Sequence, residues 1–311
     1  MPQLPAHVRD RAMSLARRDG AWVAPGARDA ATVVLLRDVD APTGPAVTTL
    51  LMRRVATMSF AAGMYVFPGG GLDPEDLSPD LPWDSDDAPT GHSIDRDRPD
   101  DPARMSAEPA VARGLVACAA REVFEETGIL LAADGDGRPP VPDDMWERDR
   151  RAVSESPGAF PEVLSRRGLR LTARLLPLWT HWVTPEFESR RFDVRFFVAA
   201  VPAGQQVVQV SGEADDAQWL TPADALDRYS RGRLPMLPPT VATLGEILPF
   251  DDSGAVLAAA PAREVRPLMP HPRLGPRDAL EWDLLDLRTG EVVLALQGDP
   301  AGSEAEGNGA P

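Results

Sequence analysis

Apolar positions in residues 109–127 repeat with a helical period. Ala112, Val116, Ala119 and Val123 fall at i, i+4, i+7 and i+11 and form one stripe. Gly128 follows where a helix would be capped, so the spacing predicts a helix over 109–127. Upstream, the pattern is that of strands. Val33-Val34-Leu35-Leu36 within 30–37, and the apolar run from Val47 to Met52 within 47–54, read as two strands with Pro42, Gly44 and Pro45 turning the chain between them. Met64 to Phe67 reads as a third short strand, stopped by Pro68-Gly69-Gly70-Gly71. Downstream, residues 143–167 read as two helical pieces broken at Pro157-Gly158, and 175–183, 192–201 and 207–210 as strands. Two more helices are predicted, over 222–231 and 239–247; Thr221 is the N-cap of the first and Pro222 its first residue. Near the end, 282–287 and 291–296 flank Arg288-Thr289-Gly290, a hairpin signal.

One stretch breaks the pattern. From Asp73 to Asp101 the chain has eleven acidic residues, two arginines, frequent proline and few apolar side chains. Such a segment cannot bury enough surface to offset the entropy of ordering it, so 72–108 reads as an acidic flexible insertion. Residues 297–311 read as a disordered tail. The whole chain of 311 residues is 43% hydrophobic, enough for a sizeable core, and carries a net charge of -16. That charge argues against nucleic-acid and membrane partners, which favour a basic face. All the basic residues are arginine, which removes lysine chemistry, and the single cysteine, Cys118, excludes an intrachain disulfide and a multi-cysteine zinc site. Cys118 itself reads as a small packing residue. The start of the sequence has no secretory pattern and no apolar run approaches a membrane span, so the expected compartment is the cytoplasm.

Candidate chemistry lies at the end of the 109–127 helix, in Arg121-Glu122-Val123-Phe124-Glu125-Glu126-Thr127-Gly128-Ile129. Glu122, Glu125 and Glu126 sit at i, i+3 and i+4 and share a helical face. Three carboxylates in one turn repel one another, and the negative end of the helix dipole adds to the cost. A divalent cation would relieve it, and all-oxygen ligation suits Mg²⁺ or Mn²⁺. Taken alone, the carboxylates are equally compatible with a solvated acidic face.

The surrounding residues add a resemblance. Arg121-Glu122-x-x-Glu125-Glu126-x-Gly128-Ile129 resembles the second half of the Nudix box, and Phe67-Pro68-Gly69-Gly70 resembles its opening. In an uninterrupted box, counting from Gly70 places the arginine at position 84; here it stands 37 residues later, at Arg121. The extra residues coincide with the acidic segment, and a flexible loop of that length closes at small entropic cost. The box's middle glutamate has no match: Gly70 plus six is Asp76, and Arg121 minus eight is Arg113. Met58 through Gly70, Thr180 to Pro185, Arg190 to Phe197 and Glu213 through Trp219 to Pro222 are similar to the Nudix subgroup related to peroxisomal coenzyme A diphosphatase, whose box also carries an insertion.

The resemblance covers about residues 30–248. It implies an α+β fold with a mixed β-sheet sandwiched between α-helices and an acidic loop insertion inside the box. The implied domains are 28–248, the hydrolase, and 249–311, an extension with a β-hairpin and the tail. The implied activity is metal-dependent hydrolysis of a diphosphate linkage in a small-molecule nucleoside diphosphate derivative. Coenzyme A or acyl-CoA is the first expectation; an ADP-ribose or NADH-type substrate and a catalytically silent binding module are the alternatives. Glu122, Glu125 and Glu126 are the implied metal ligands and catalytic residues, with Arg121 orienting a glutamate. Gly69 and Gly70 let the backbone bend beside the metal helix. Glu213 is the candidate fourth carboxylate, with Asp215, Asp216, Glu186 and Glu188 as rivals. Arg53, Arg54, Arg190, Arg191 and Arg195 are candidate phosphate contacts, although for any single one a solvated strand edge is the favoured reading. The sequence leaves the general base and the oligomeric state open, a homodimer included.

Overall fold

The computed structural model describes residues 6–41, 44–55, 61–84, 101–207, 214–276 and 279–296. In chain order these form α1 (Ala6–Arg17), β1 (Arg28–Ala41), β2 (Gly44–Arg54), β3 (Tyr65–Val66), β4 (Gly69–Gly71), a 3₁₀ turn (Pro74–Leu77), α2 (Pro102–Met105) and α3 (Pro109–Thr127). There follow α4 (Trp146–Glu155), α5 (Ala159–Arg166), β5 (Leu178–Val183), β6 (Phe192–Ala200), β7 (Ala214–Leu220), α6 (Pro222–Ser230) and α7 (Pro238–Ile247). The last elements are α8 (Ser253–Ala259), β8 (Pro267–Leu274), β9 (Leu280–Asp286) and β10 (Val292–Leu296).

Residues 28–181 and 194–265 form the larger of two compact units. Its mixed sheet runs β5-β6-β1-β2-β3, with β4 also on β1 and β7 also on β2. Val33, Val34, Leu35 and Leu36 are all fully buried, which is why β1 reads as an unbroken apolar run and not as an alternating one. β1 and β2 pair antiparallel, Leu36 opposite Thr49, and β7 pairs antiparallel with β2, Leu50 opposite Trp219. α3 packs on β1 and β4, α6 on β2 and β7, and α8 on β1. The helix runs over the predicted residues: Pro109 starts it, and Gly128 ends it in the left-handed region at φ 77°. Its alanines and Gly114 bring it close to its neighbours; a Cβ on Gly114 would lie 2.5 Å from Leu77 Cδ2.

Two expectations change in this unit. The acidic insertion is folded at both ends: Asp76, Leu81, Asp101 and Met105 are buried, and Trp83 packs against the core. Only 85–100 of that stretch lies outside the described residues. Residues 249–265, read from the sequence as the start of an extension, pack within this unit. The Asp38 carboxylate accepts from Ser253 N and Ser253 Oγ at 2.7 and 2.8 Å, and Val256 is fully buried.

The smaller unit takes its described residues from 6–27, 182–193 and 266–296. β8, β9 and β10 form an antiparallel meander, in which β9–β10 is the hairpin read at 282–296. α1 packs on β8, and Val8, Ala12, Phe187 and Trp282 make a small core. The predicted strand over 207–210 lies outside the described residues except for Val207, which is not in a strand, and the tail 297–311 lies outside them entirely.

Candidate active site

β4 sets one wall of the site. Gly69 and Gly70 pair with Thr32 and Ala31 of β1, so close that a Cβ on Gly69 would lie 2.3 Å from Ala31 O. Gly69 also sits at φ 153°, where glycine is favoured. A Cβ on Gly70 would fall 2.4 Å from the Glu122 carboxylate. The glycine pair thus lets the backbone lie against the carboxylate face of α3, and Gly69 N donates to Glu126 Oε2 at 2.9 Å.

Arg121 organises the other wall. Its Nε donates to Asp76 Oδ1 at 2.7 Å and its Nη2 to Asp76 Oδ2 at 2.8 Å and to Gly71 O at 3.3 Å. Its Nη1 donates to Glu122 Oε1 at 2.9 Å and to Glu125 Oε1 at 2.8 Å. All five donors of the guanidinium are used. Burial opposes the arginine's charge, yet the Asp76 hydrogen bonds and the Glu122 charge hold its pKa above the ordinary value. Asp76, six residues after Gly70, is thus the buried counter-charge of Arg121. It is one methylene shorter than a glutamate, and it reaches Arg121 because the 3₁₀ turn carrying it docks on α3; Asp73 N donates to it at 2.9 Å.

Burial pushes the Glu122 carboxyl up to about 7; Arg121 opposes this, and the like charge of Glu125 adds to it. The ordinary value is 4.5, so the folded state of the metal-free protein binds a proton that the unfolded chain releases between about 4.5 and 7. Its stability contribution is present below that window and is lost as pH rises through it. Thermal melts in chelator should show stability falling from pH 5 to 7.5, with a shallower fall in Glu122→Gln. Equal slopes in the two proteins would show that Glu122 does not titrate there.

The glycines give a second prediction. Gly69→Ala meets backbone and should cost about 3 kcal/mol or more of stability. Gly70→Ala meets only the end of a side chain. It should leave the melting temperature near wild type and lower turnover on the order of 10²-fold by displacing Glu122. Thermal melts and initial rates on both variants check this.

Glu122, Glu125 and Glu126 are brought together with Arg121, Gly69 and Gly70. With Arg121 bridging Glu122 and Glu125, and Glu126 on Gly69 N, no three His, Cys, Asp or Glu side chains among the described residues are grouped as a metal centre. The donor set nevertheless fits a hard divalent cation: three carboxylates on one helical turn, and a glycine where a Cβ would fill the space beside Glu122. Glu213 lies outside the described residues. Two of its rivals are engaged elsewhere. Asp215 accepts from Arg53 Nε at 2.7 Å, and Asp216 from Tyr65 Oη and Gln218 Nε2, both at 2.6 Å. Glu186 and Glu188 belong to the smaller unit.

Of the arginines, Arg53 is half-exposed in its pair with Asp215, and Arg54 Nε is buried with no hydrogen-bond partner among the described residues. Arg191, expected as a substrate contact, donates instead to Thr184 O, Pro25 O and Met269 Sδ within the smaller unit. Arg190 stacks on Phe192, and Arg195 is buried against Asp29 and Met105 O. Backbone carbonyls and neighbouring side chains thus take up guanidinium groups that the sequence offers to phosphate. Cys118 is buried and directs its thiol at Gly71 O, 3.3 Å away; burial pushes its pKa well up, as suits a packing residue.

The family model described as the NUDT19 Nudix domain matches residues 27–247, which enclose both the glycine wall and α3. The chain belongs to the Nudix family. Members of this family generally use divalent metal ions. The chain is 30% identical over 254 residues to the acyl-coenzyme A diphosphatase NUDT19 of Gallus gallus, covering 68% of this chain and 65% of that one. It is 28% identical over 228 residues to the protein of the same name from Xenopus laevis, covering 65% and 60%. The chain therefore spans about 60–65% of the length of these curated relatives. Among solved structures, it is similar to a Nudix hydrolase from Alicyclobacillus acidocaldarius, with 29% identity and a TM-score of 0.59 over 75% of this chain and 96% of that one. The α+β architecture is thus that of a Nudix fold. Among the described residues no helix is long and apolar enough to cross a membrane.

Proposed function

We propose that the protein is a Mg²⁺- or Mn²⁺-dependent diphosphatase that cleaves coenzyme A or an acyl-CoA. The observation that carries this reading is the cluster of Glu122, Glu125 and Glu126 against Gly69 and Gly70, braced by the Arg121–Asp76 pair. The substrate class is supported by the similarity to acyl-coenzyme A diphosphatases. Glu122, Glu125 and Glu126 would hold the metal. When bound, such a cation neutralises diphosphate charge and acidifies water. Arg121 offsets the repulsion between Glu122 and Glu125 and holds their ends in place. Gly69 N orients Glu126, and Gly70 leaves the Glu122 carboxylate open to the site. In the reaction, water adds to one phosphorus and the bridging P–O bond breaks, so coenzyme A yields phosphopantetheine and adenosine bisphosphate.

The catalytic unit proposed is 28–181 with 194–265, and Arg53 and Arg54 at the end of β2 are the proposed phosphate contacts. Glu213 remains the proposed fourth carboxylate. The acidic surface favours a small-molecule partner in the cytoplasm over nucleic acid or a membrane. Initial rates on coenzyme A, ADP-ribose and NADH, each with Mg²⁺ and Mn²⁺, test the substrate assignment. The reading expects coenzyme A to have the highest kcat/KM; a preference for ADP-ribose or NADH would move the substrate class and leave the metal site standing.

A further inference from the structure

The acidic end of α3 is clamped by α4. The last turn of α3 has no basic residue of its own, and its final carbonyls lack intrahelical partners. Two donors one turn apart on α4 meet two of these carbonyls. Arg150 Nη1 donates to Glu125 O at 2.6 Å, and Trp146 Nε1 donates to Gly128 O at 2.8 Å. The rest of the Arg150 guanidinium is fixed by Glu147, whose two oxygens accept from Nε and Nη2, both at 2.8 Å. The Arg150 side chain is 9% exposed, so the ion pair is held in a single place. Trp146 is seated edge-on against Phe124, 5.5 Å between ring centroids. A cation at the C-terminal end of a helix also offsets the dipole that the three carboxylates aggravate.

We propose that Arg150 is a positioning residue for the metal-binding carboxylates, acting through the main chain of Glu125. It fixes the turn that carries Glu125 and Glu126 by its bond to Glu125 O, and its charge also reaches the Glu125 carboxylate. The inference rests on the metal site proposed above. The sign of its effect is diagnostic. If Arg150 were only a nearby positive charge, removing it would tighten cation binding by lifting a repulsion. If it only stabilised the fold, metal affinity would not move. A positioning role alone predicts weaker binding.

The test is Mn²⁺ binding to the full chain, read as free Mn²⁺ by electron paramagnetic resonance, with no substrate present. Arg150→Met should weaken binding about tenfold or more, the scale seen when outer partners of metal ligands are removed. Arg150→Lys, which keeps one donor and the charge, should recover part of the loss. Arg166→Met is the control. Arg166 lies on α5 and pairs with Asp149 and Glu162, so its loss should leave Mn²⁺ affinity at the wild-type value. Wild-type or tighter binding in Arg150→Met overturns the proposal. Glu126→Gln separates the underlying reading: if that variant binds Mn²⁺ like wild type, the metal site itself is wrong. Should Arg150→Met fail to fold, Arg150→Lys and Glu147→Gln carry the comparison, and unchanged affinity in both overturns the proposal.

Discussion

Glu126→Gln should fold like the wild type and lose turnover on the order of 10³-fold. The substitution is nearly isosteric. Its amide oxygen can still accept from Gly69 N, which donates to Glu126 Oε2 at 2.9 Å, so the wall between β4 and α3 should survive. What disappears is one negative charge from a set of three that share a helical face. A hard divalent cation prefers charged oxygen, and an amide oxygen is a poor substitute. Removing a carboxylate also relieves repulsion at the negative end of α3, so the melting temperature should hold or rise slightly in chelator. Steady-state rates with saturating metal, together with thermal melts, check both halves. Retained turnover would remove Glu126 from the site.

Asp76→Ala should have the largest effect on stability. Asp76 takes two of the five Arg121 hydrogen bonds, and both side chains are buried at 2–3% exposure. Breaking such a pair leaves a guanidinium in the interior without its main counter-charge, a loss of about 3–5 kcal/mol. Arg121 would still face Glu122 and Glu125 and would draw further on them, so activity should fall with stability. Asp76→Glu restores the charge with one extra methylene. It should recover most of the activity if the 3₁₀ turn can shift slightly. Denaturant unfolding measures the first effect and initial rates the second. An Asp76→Ala protein as stable as wild type would contradict the bracing role assigned to the Arg121–Asp76 pair.

Much of this site is legible in the sequence because its chemistry is local. Glu122, Glu125 and Glu126 share a face by spacing alone, and the apolar stripe with Gly128 marks the helix that carries them. β1 and β2 are legible because continuous β-branched and leucine runs have few other uses. The misses have physical causes. β4 consists of three glycines, which have low strand propensity; it pairs with β1 because only glycine fits so close to Ala31. β8 contains Pro267, Pro270 and Pro272, which normally argue against a strand. β7 begins Ala-Asp-Asp, whose polar start hides its pairing with β2. Among the described apolar side chains of α1, Val8 and Ala12 are the buried ones, too thin a stripe to stand out.

Long-range partners are less legible still. Asp76 lies 45 residues before Arg121, and the clamp from Arg150 is fixed by how α4 lies across the end of α3. Arg191 shows the converse: it reads as a candidate phosphate contact, yet two backbone carbonyls and Met269 Sδ take its donors.

The most direct measurement is mass-spectrometric product analysis after incubating the purified protein with coenzyme A, in parallel with Mg²⁺, with Mn²⁺ and with chelator. The account predicts phosphopantetheine and adenosine bisphosphate in equal amounts, formed only when metal is present. Intact coenzyme A with both metals, from protein that melts cooperatively, would contradict it.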